Sequence, residues 1–414
     1  MSRELNILVA PDKFKGTLTA EAAARAISRG WQKARPHDQL TLLPMSDGGD
    51  GFGEIMSRLA GARVQKTNAL DAAHRPCKIS WWWEPHTKTA IIESARIIGL
   101  AMLPPGKFHP FDLDTFGLGA AFRAAAGKGA RRCLVGIGGS ATNDGGFGLA
   151  RAMGWDFLDN AGQEIEQWPN LTSLETIRPP RETPPAPNVH CAPESDYQGR
   201  ARLSSARRHR NHVVARRAED RRALPWFQEV IVAVDVRNPL LGPRGATRIY
   251  GPQKGLRARD FEKAEHCLSR LAKVWKNDFG KDFSRAPGAG AAGGLGFGLL
   301  AFLGARLMAG FDLFADYARL AQRLRSADLV ITGEGAIDQS TLMGKGVGQL
   351  ALGCLKAKVP CIGLAGSTRS SARIERAFTQ VRALAEIATV KDAKADAQYW
   401  LERLSARLAW DWKC

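Results

Sequence analysis

Short apolar runs alternate, at both ends of the chain, with segments whose apolar residues recur at helical spacing. The apolar run at 7–10 predicts a strand, and the spacing behind Thr19, a suitable N-cap, predicts a helix over 19–33. Further predicted strands lie at 40–43, 329–332 and 359–365, and further helices at 344–355 and 396–409. This alternation favours a parallel α/β sheet of the Rossmann or flavodoxin-like type, whose ligands bind beyond the carboxyl ends of the strands.

The middle of the chain has a different order of predicted strands and helices, which predicts a second α/β domain. Its predicted strands are 79–83, 89–92, 133–135 and 230–236, and a loop leads into a helix within 115–126. A chain of 414 residues is too long for one ordinary hydrophobic core. We therefore expect a discontinuous first domain, 1–70 plus 286–414, with a second α/β domain inserted at 71–285.

Residues 178–228 of the inserted domain lack apolar periodicity. Five prolines between 179 and 187 precede Arg-, Ala- and His-rich sequence, and residues 178–222 hold eleven Arg, no Lys and five acidic residues. Such a composition buries too little apolar surface to offset chain entropy, which predicts a disordered loop. Two alternatives stay open, a gene segment read out of frame and a nucleic-acid-binding arm.

The net charge of +18 permits binding to nucleic acid without requiring it. Outside the Arg-rich segment the basic residues are spread without aromatic interleaving and without a nucleic-acid-binding motif. Nucleic acid is therefore not an expected partner.

Cysteine usage and hydropathy indicate a reduced cytoplasmic compartment without a membrane anchor. The seven cysteines form no C-x-x-C pair, which argues against a disulfide framework and against a thiolate zinc site. The N-terminus leads directly into the first predicted strand, without a signal peptide. The uncharged stretch 286–305 has membrane-spanning length, but its glycines and Pro287 favour a buried loop leading into a core helix.

Four glycine-rich segments carry the candidate chemistry. In residues 136–146, which follow the predicted strand 133–135, five glycines frame two hydroxyl groups, an amide and a carboxylate. Glycine lets backbone N–H groups approach a ligand, and the polar side chains supply directed hydrogen bonds. The other three segments are 251–255, 287–294 and 332–338. They carry acids and a lysine, which indicates phosphate chemistry, although no Walker-type G-x-x-x-x-G-K-[ST] motif is present.

These segments belong to an ordered set of motifs that begins with Ala10-Pro-Asp-Lys-Phe-Lys-Gly16. The other motifs are 44–51, 92–95, 115–119, 136–146, 235–240, 251–255, 287–294 and 332–338. Taken in this order, they resemble the glycerate kinase family of the bacterial type that makes 2-phosphoglycerate. The resemblance implies two α/β domains with the active site between them, ATP with Mg²⁺ as phosphoryl source, and D-glycerate as acceptor. Lys13 stands where this family usually has a small hydroxyl residue, and Ala336 where it usually has Arg.

Phosphoryl transfer requires a nucleotide cradle, cations and a divalent metal ion. The candidate nucleotide-binding residues are Gly288, Gly290, Gly293, Gly294, Gly333 and Glu334. Lys254, which we expect in a tight turn, and Lys15 are the candidate cations for phosphate oxygens. Asp47, Glu334 and Asp338 are candidate ligands of Mg²⁺, which is usually held by one or two carboxylates together with phosphates and water.

Glycerate presents a carboxylate and two hydroxyl groups to its binding site. The candidate substrate-binding residues are Asp12, Ser140, Thr142, Asn143, Arg237 and Asn238, with Arg237 placed to neutralise the carboxylate. Asp235 and Asp144 both follow predicted strands, and either is a candidate general base. The residues alone do not choose between them.

Three other functions compete with this interpretation. The first is a catalytically impaired or altered-specificity sugar-acid kinase. The second is a nicotinamide-dependent oxidoreductase, based on Gly136-x-Gly-x-x-Ala141 with Asp156 or Asp159 further on, although residues 142–146 would interrupt the expected helix. The third is a non-catalytic protein that binds sugar acids or nucleic acid.

Overall fold

The chain is an α/β protein, and the computed structural model describes residues 3–14, 16–180, 227–344 and 346–412. The strands are β1 (Asn6–Val9), β2 (Gln39–Leu42), β3 (Arg63–Leu70), β4 (Pro76–Glu84), β5 (Thr89–Glu93), β6 (Arg132–Gly136), β7 (Asp156–Asp159), β8 (Leu174–Arg178), β9 (Glu229–Val234), β10 (Arg306–Ala309), β11 (Leu329–Ile337), β12 (Cys361–Thr368) and β13 (Gln380–Ala383). The α-helices are α1 (Ala20–Ala34), α2 (Phe52–Ala60), α3 (Ala95–Ile98), α4 (Leu118–Gly127), α5 (Phe147–Ala152), α6 (Ala246–Lys254), α7 (Phe261–Phe279), α8 (Ala291–Leu303), α9 (Gly310–Tyr317), α10 (Leu320–Ser326), α11 (Gly346–Ala357), α12 (Ala372–Ala377), α13 (Val390–Ala395) and α14 (Ala397–Asp411).

Two large sheets organise the described residues. The first sheet has five parallel strands in the order β13-β12-β11-β1-β2. The second has six strands in the order β10-β9-β6-β5-β4-β3, and β4 runs antiparallel to both of its neighbours. A separate antiparallel pair is formed by β7 and β8. The predicted α/β class with parallel sheets is confirmed.

Helices cover both faces of the first sheet. On one face, Trp31 of α1 and Leu404 of α14 share a core with Val9 of β1. On the other face, Leu350 of α11 packs in a core with the adjacent strand residue Leu8. Neighbouring strand residues point to opposite faces, so the apolar run of β1 serves two cores at once.

The second sheet carries the largest core. It includes Val135 of β6 and Val232 of β9 together with Phe297 of α8. The expectation that 286–305 contains a buried core helix is confirmed by α8. Within the described ranges, no helix combines the length and the apolarity needed to cross a bilayer.

Strand pairing places in the second sheet two segments that the sequence analysis assigned to the first domain. Residues 63–70, assigned to the first domain, form β3 and pair with β4 at the edge of the second sheet. Residues 306–309, also assigned to the first domain, form β10 and pair with β9. The choice of sheet depends on partners distant in sequence, which the local pattern of each strand does not encode.

Two segments that the sequence analysis did not place in regular elements belong to a strand and a helix. Residues 333–337 continue β11, because they pair in register with β12 as far as Ile337 opposite Thr368. Lys254 is the last residue of α6 rather than part of a tight turn, and Gly255 ends that helix with φ of 104°. Most of the Arg-rich segment, residues 181–226, lies outside the described residues, as does the prediction of disorder made for it.

Candidate active site

A cluster of carboxylates surrounds Lys13 at the carboxyl ends of strands from both sheets. Asp12 follows β1, Asp47 follows β2 and Asp235 follows β9. Nζ of Lys13 lies 3.8 Å from Oδ1 of Asp47, and the charges of Asp12, Asp50 and Asp235 also act on it. Burial lowers the pKa of Lys13, but the four carboxylates hold it above its ordinary value. Carboxylates from both sheets therefore act on one ammonium group.

The loop that carries Asp47 is fixed against the second sheet. The Gly48 carbonyl accepts a 3.1 Å hydrogen bond from the N–H of Gly138. The buried carboxylate of Glu93, at the end of β5, accepts the N–H groups of Gly51 at 3.0 Å and Gly53 at 2.9 Å. A carboxylate at these N–H groups also complements the N-terminus of α2. These contacts hold the first sheet's loop beside the carboxyl ends of the second sheet's strands.

Asp12 has the most strongly perturbed carboxyl group of this cluster. Its backbone N–H donates to the Gly333 carbonyl at 2.8 Å, which fixes the residue beside β11. Burial raises the pKa of Asp12 to about 7, and the charges of Asp47 and Glu334 add to this effect. A 2.7 Å hydrogen bond from the backbone N–H of Lys13 opposes it. The negative charges of Asp47 and Glu334 therefore disfavour the ionised form of Asp12, and a divalent cation bound there would favour it.

Asp235 lies on the second-sheet side of the cluster, where the residue keeps contact with solvent while neighbouring protein partly covers its carboxyl group. Burial of its carboxyl group raises its pKa, and the charge of Asp47 adds to the shift. Burial and the charge of Asp235 together raise the pKa of Tyr250 to about 12, so this phenol stays protonated at neutral pH. Tyr250 was absent from the predicted site, because no motif feature connects this residue of α6 to the end of β9.

Asp144, the other candidate base, is buried and fully engaged. It accepts the hydroxyl group of Thr115 at 2.7 Å and its N–H at 2.9 Å. The N–H groups of Gly148 at 2.9 Å and Gly146 at 3.3 Å also point to this carboxylate. Because four donors already bind its carboxylate, Asp144 fixes the start of α5. Asp235 is the more accessible of the two candidate bases.

The predicted hydrogen-bonding residues of the 136–146 segment bond to other protein groups. The hydroxyl groups of Ser140 and Thr142 lie 2.9 Å apart, and Asn143 donates from Nδ2 to Thr247 at 3.2 Å. All three are buried, and Oδ1 of Asn143 has no hydrogen-bond partner among the described residues. The segment stays non-helical until α5 begins at Phe147, so the helix required by the dinucleotide-binding interpretation is interrupted as expected.

The predicted residues around β9 differ in exposure. Arg237 is exposed, so its guanidinium is available to an anionic ligand. Asn238 accepts the hydroxyl group of Tyr250 at 2.6 Å and donates to the Arg244 carbonyl at 2.8 Å. The side chain of Asn238 therefore positions Tyr250 and the loop that leads into α6.

The glycines at 288–294 are packed tightly against segments that surround the second sheet. Ala292, Gly293 and Gly294 all have positive φ, so the chain makes a left-handed turn before the regular part of α8. A Cβ on Gly293 would lie 1.9 Å from the Thr142 carbonyl oxygen, and one on Gly290 would lie 2.1 Å from the Pro239 carbonyl oxygen. Gly288 lies against Val234, Leu307 and the Val236 carbonyl, and Gly333 against the Leu364 carbonyl. Close backbone packing therefore accounts for these glycines, and their role in nucleotide binding stays a prediction.

The remaining predicted residues are placed as follows. Glu334 accepts the hydroxyl group of Thr341 at 2.7 Å, and Oδ1 of Asp338 accepts the N–H of Ser340 at 2.8 Å, which caps a short 3₁₀ turn. Lys15 lies outside the described residues. Among the described residues, no three His, Cys, Asp or Glu side chains are grouped to hold a metal ion by themselves.

Comparison with known proteins identifies the family. The model of the glycerate kinase family matches residues 7–198 and 209–413. A glycerate kinase from Bacillus subtilis (strain 168) is 35% identical over 88% of this chain and 85% of its own length. A glycerate 2-kinase from Escherichia coli (strain K12) is 34% identical over 88% of this chain and 85% of its own length.

A solved structure agrees with these relatives. The crystal structure of a protein from Salmonella typhimurium LT2, provisionally assigned as glycerate kinase 2, aligns with a TM-score of 0.75 at 30% sequence identity, and the alignment covers 98% of each chain. The motifs, the fold and these matches agree, and the chain belongs to the glycerate kinase family and is a kinase.

Proposed function

We propose that this chain is an ATP- and Mg²⁺-dependent kinase that phosphorylates D-glycerate at its 2-hydroxyl group. The observation that carries the proposal is the meeting of Asp12, Asp47 and Asp235 around Lys13, where strands of both sheets end. Phosphoryl transfer needs positioning and charge stabilisation rather than covalent help from the protein, and this cluster offers both.

The donor set fits Mg²⁺. Mg²⁺ needs only one or two carboxylates, which Asp12, Asp47 and Glu334 offer as hard oxygen donors, and the raised pKa of Asp12 marks a place where added positive charge is favourable. An all-protein cage is not required, because Mg²⁺ usually completes its shell with phosphate and water oxygens. When bound, the ion supplies positive charge to the phosphate oxygens of the nucleotide. Asp338, whose carboxylate caps the 3₁₀ turn, is left out of this set.

On the acceptor side, Asp235 takes the proton of the glycerate hydroxyl group. A raised pKa brings this carboxylate closer to the working pH, where a general base is most effective. The exposed guanidinium of Arg237, two residues further along, pairs with the carboxylate of glycerate. Tyr250, held by Asn238, provides a protonated hydroxyl group beside the base.

A coupled assay of ADP release tests the proposal. Purified protein is supplied with ATP and Mg²⁺, with and without D-glycerate, and phosphorus NMR distinguishes 2-phosphoglycerate from 3-phosphoglycerate. We expect glycerate-dependent ADP release, its loss on chelation of Mg²⁺, and 2-phosphoglycerate as product. Well-folded protein that releases no ADP with glycerate would contradict the proposal, and a panel of other sugar acids would then separate altered specificity from impaired catalysis.

A further inference from the structure

We propose that Lys13 is a further catalytic residue, whose ammonium group contacts the phosphoryl group during its transfer. The inference rests on the proposed function, since it concerns the same reaction at the same cluster. It deepens that proposal by assigning the charge-stabilising role to Lys13, whereas the sequence analysis named Lys15 and Lys254 as the candidate cations.

The first observation is that the ammonium group of Lys13 has N–H donors that no described residue accepts. Its nearest carboxylate oxygen, Oδ1 of Asp47, is 3.8 Å from Nζ, beyond hydrogen-bond distance. Within the described part of the chain, Nζ donates no hydrogen bond, although only 31% of the side chain is exposed. An ammonium group has three donors, so this partly dehydrated cation is ready to bind an anionic ligand.

The second observation is where the ammonium group lies. Asp47, whose Oδ1 is 3.8 Å from Nζ, is a proposed Mg²⁺ ligand, and Asp235, whose charge also acts on Lys13, is the proposed base for the acceptor hydroxyl group. The transferred phosphoryl group must pass from the nucleotide to the acceptor, so an ammonium group beside a proposed metal ligand and near the proposed base lies close to its path.

The third observation concerns Gly49, the residue opposite the tip of Lys13. A Cβ atom on Gly49 would lie 2.8 Å from Nζ of Lys13, so the absence of a side chain there leaves room for the ammonium group. The backbone N–H of Gly49 meanwhile donates to Oδ1 of Asp47 at 3.0 Å. Oδ1 of Asp47 therefore already accepts a hydrogen bond from Gly49, which weakens its attraction for the ammonium group of Lys13.

The step balances as a direct displacement. The bond between the γ-phosphorus of ATP and the bridging oxygen breaks, and ADP leaves with the bonding electron pair. The bond from the glycerate hydroxyl oxygen to phosphorus forms, and the hydroxyl proton passes to Asp235. Lys13 neutralises the negative charge on the phosphoryl oxygens throughout, and this stabilisation is strongest when it acts on the transition state.

The test compares Lys13→Met, which removes the charge and nearly preserves the length, with Lys13→Arg, which keeps the charge. Lys273→Met, at an exposed position of α7, is the matched control. We expect Lys13→Met to lower kcat roughly 100- to 1000-fold with KM for glycerate nearly unchanged, and Lys13→Arg to recover part of the loss. A kcat of Lys13→Met within about threefold of wild type, or a loss confined to KM, would overturn the proposal.

A binding measurement separates a catalytic role from a structural one. ADP with aluminium fluoride, Mg²⁺ and glycerate mimics the phosphoryl group in transfer, and titration calorimetry compares its affinity with that of ADP and Mg²⁺ alone. We expect Lys13→Met to weaken the mimic and leave ADP unaffected, whereas equal weakening of both ligands would overturn the assignment. If Lys13→Met does not fold, the same comparison with Lys13→Gln decides. Wild-type protein without turnover would instead overturn the proposed function, and the role of Lys13 with it.

Discussion

Lys254 donates a 2.6 Å hydrogen bond from Nζ to the carbonyl oxygen of Thr142. The bond ties the last residue of α6 to the glycine-rich segment that follows β6. Burial lowers the pKa of Lys254 to about 7, although the charge of Asp144 acts in the opposite direction. Lys254 is thus an anchor within the second domain, and its contact with phosphate stays a prediction.

We expect Lys254 to make stability depend on pH above neutrality. The folded-state pKa lies below the unfolded value of 10.5, so the unfolded chain binds more protons between about pH 7 and pH 10. The free energy of unfolding should therefore rise with pH in this window, by about 1 kcal/mol for each pH unit. Lys254→Met should lose this slope in urea unfolding at pH 7.5, 8.5 and 9.5, and the exposed-site variant Lys273→Met should keep it. An unchanged slope in Lys254→Met would contradict the assignment.

We expect Asp12 to make the free energy of unfolding fall, rather than rise, with increasing pH at lower pH. Its folded-state pKa of about 7 lies above the ordinary 3.8, so the folded chain binds more protons in this range. In the presence of a chelator, stability should fall as pH rises from about 4.5 to 6.5, by about 1–2 kcal/mol, because part of the side chain stays in contact with water. Asp12→Asn should flatten this part of the profile, and Asp316→Asn, at an exposed position on α9, should not. Equal profiles for wild type and Asp12→Asn would refute the shift.

The sequence predicted most of the strands and helices that carry the candidate site, because the pattern that identifies each of them lies within its own segment. Apolar runs bounded by polar turns identified the strands that end at Asp12, Asp47 and Asp235, and the rule that ligands bind at carboxyl ends drew attention to these acids. Thr19 accepts the N–H of Ala22 at 3.1 Å, so the N-cap chemistry that predicted α1 is present in the structure.

What the sequence did not predict depends on contacts between distant segments. The surroundings of Lys13 combine Asp47 and Asp50, from the loop after β2, with Asp235, which reaches it only because the end of β9 lies beside that loop. The glycines at 333 and 335 indicated a turn, yet register with β12 makes them part of β11. The Arg-rich segment shows a further limit, since the family match is interrupted at 199–208 and residues 181–226 are outside the described structure.

The two candidate bases should respond differently to amide substitution. Asp235→Asn should fold normally and lower kcat roughly 100- to 10,000-fold, because a solvent-accessible residue loses the carboxylate of the proposed proton transfer. Asp144→Asn should instead lower the free energy of unfolding by about 2–4 kcal/mol, because its amide group cannot accept from all the donors of Thr115, Gly146 and Gly148. Thermal unfolding and steady-state kinetics on both variants check this. A stable Asp144→Asn with low kcat beside an active Asp235→Asn would reverse the assignment.

Gly293→Ala tests whether the 288–294 turn is held by packing. Gly293 has φ of 73°, and an added Cβ would meet the backbone oxygen of Thr142 at 1.9 Å, so the substitution should cost roughly 2–4 kcal/mol of stability. The matched control is Gly353→Ala in α11, where the nearest atom to an added Cβ is a side-chain carbon of Leu324 at 3.5 Å. That substitution should stabilise the protein by about 0.5–1 kcal/mol, because alanine favours a helix interior. Thermal unfolding compares the two, and titration with ATP and Mg²⁺ adds a second readout. A Gly293→Ala protein that keeps wild-type stability but fails to bind nucleotide would contradict the packing role and assign Gly293 to nucleotide binding.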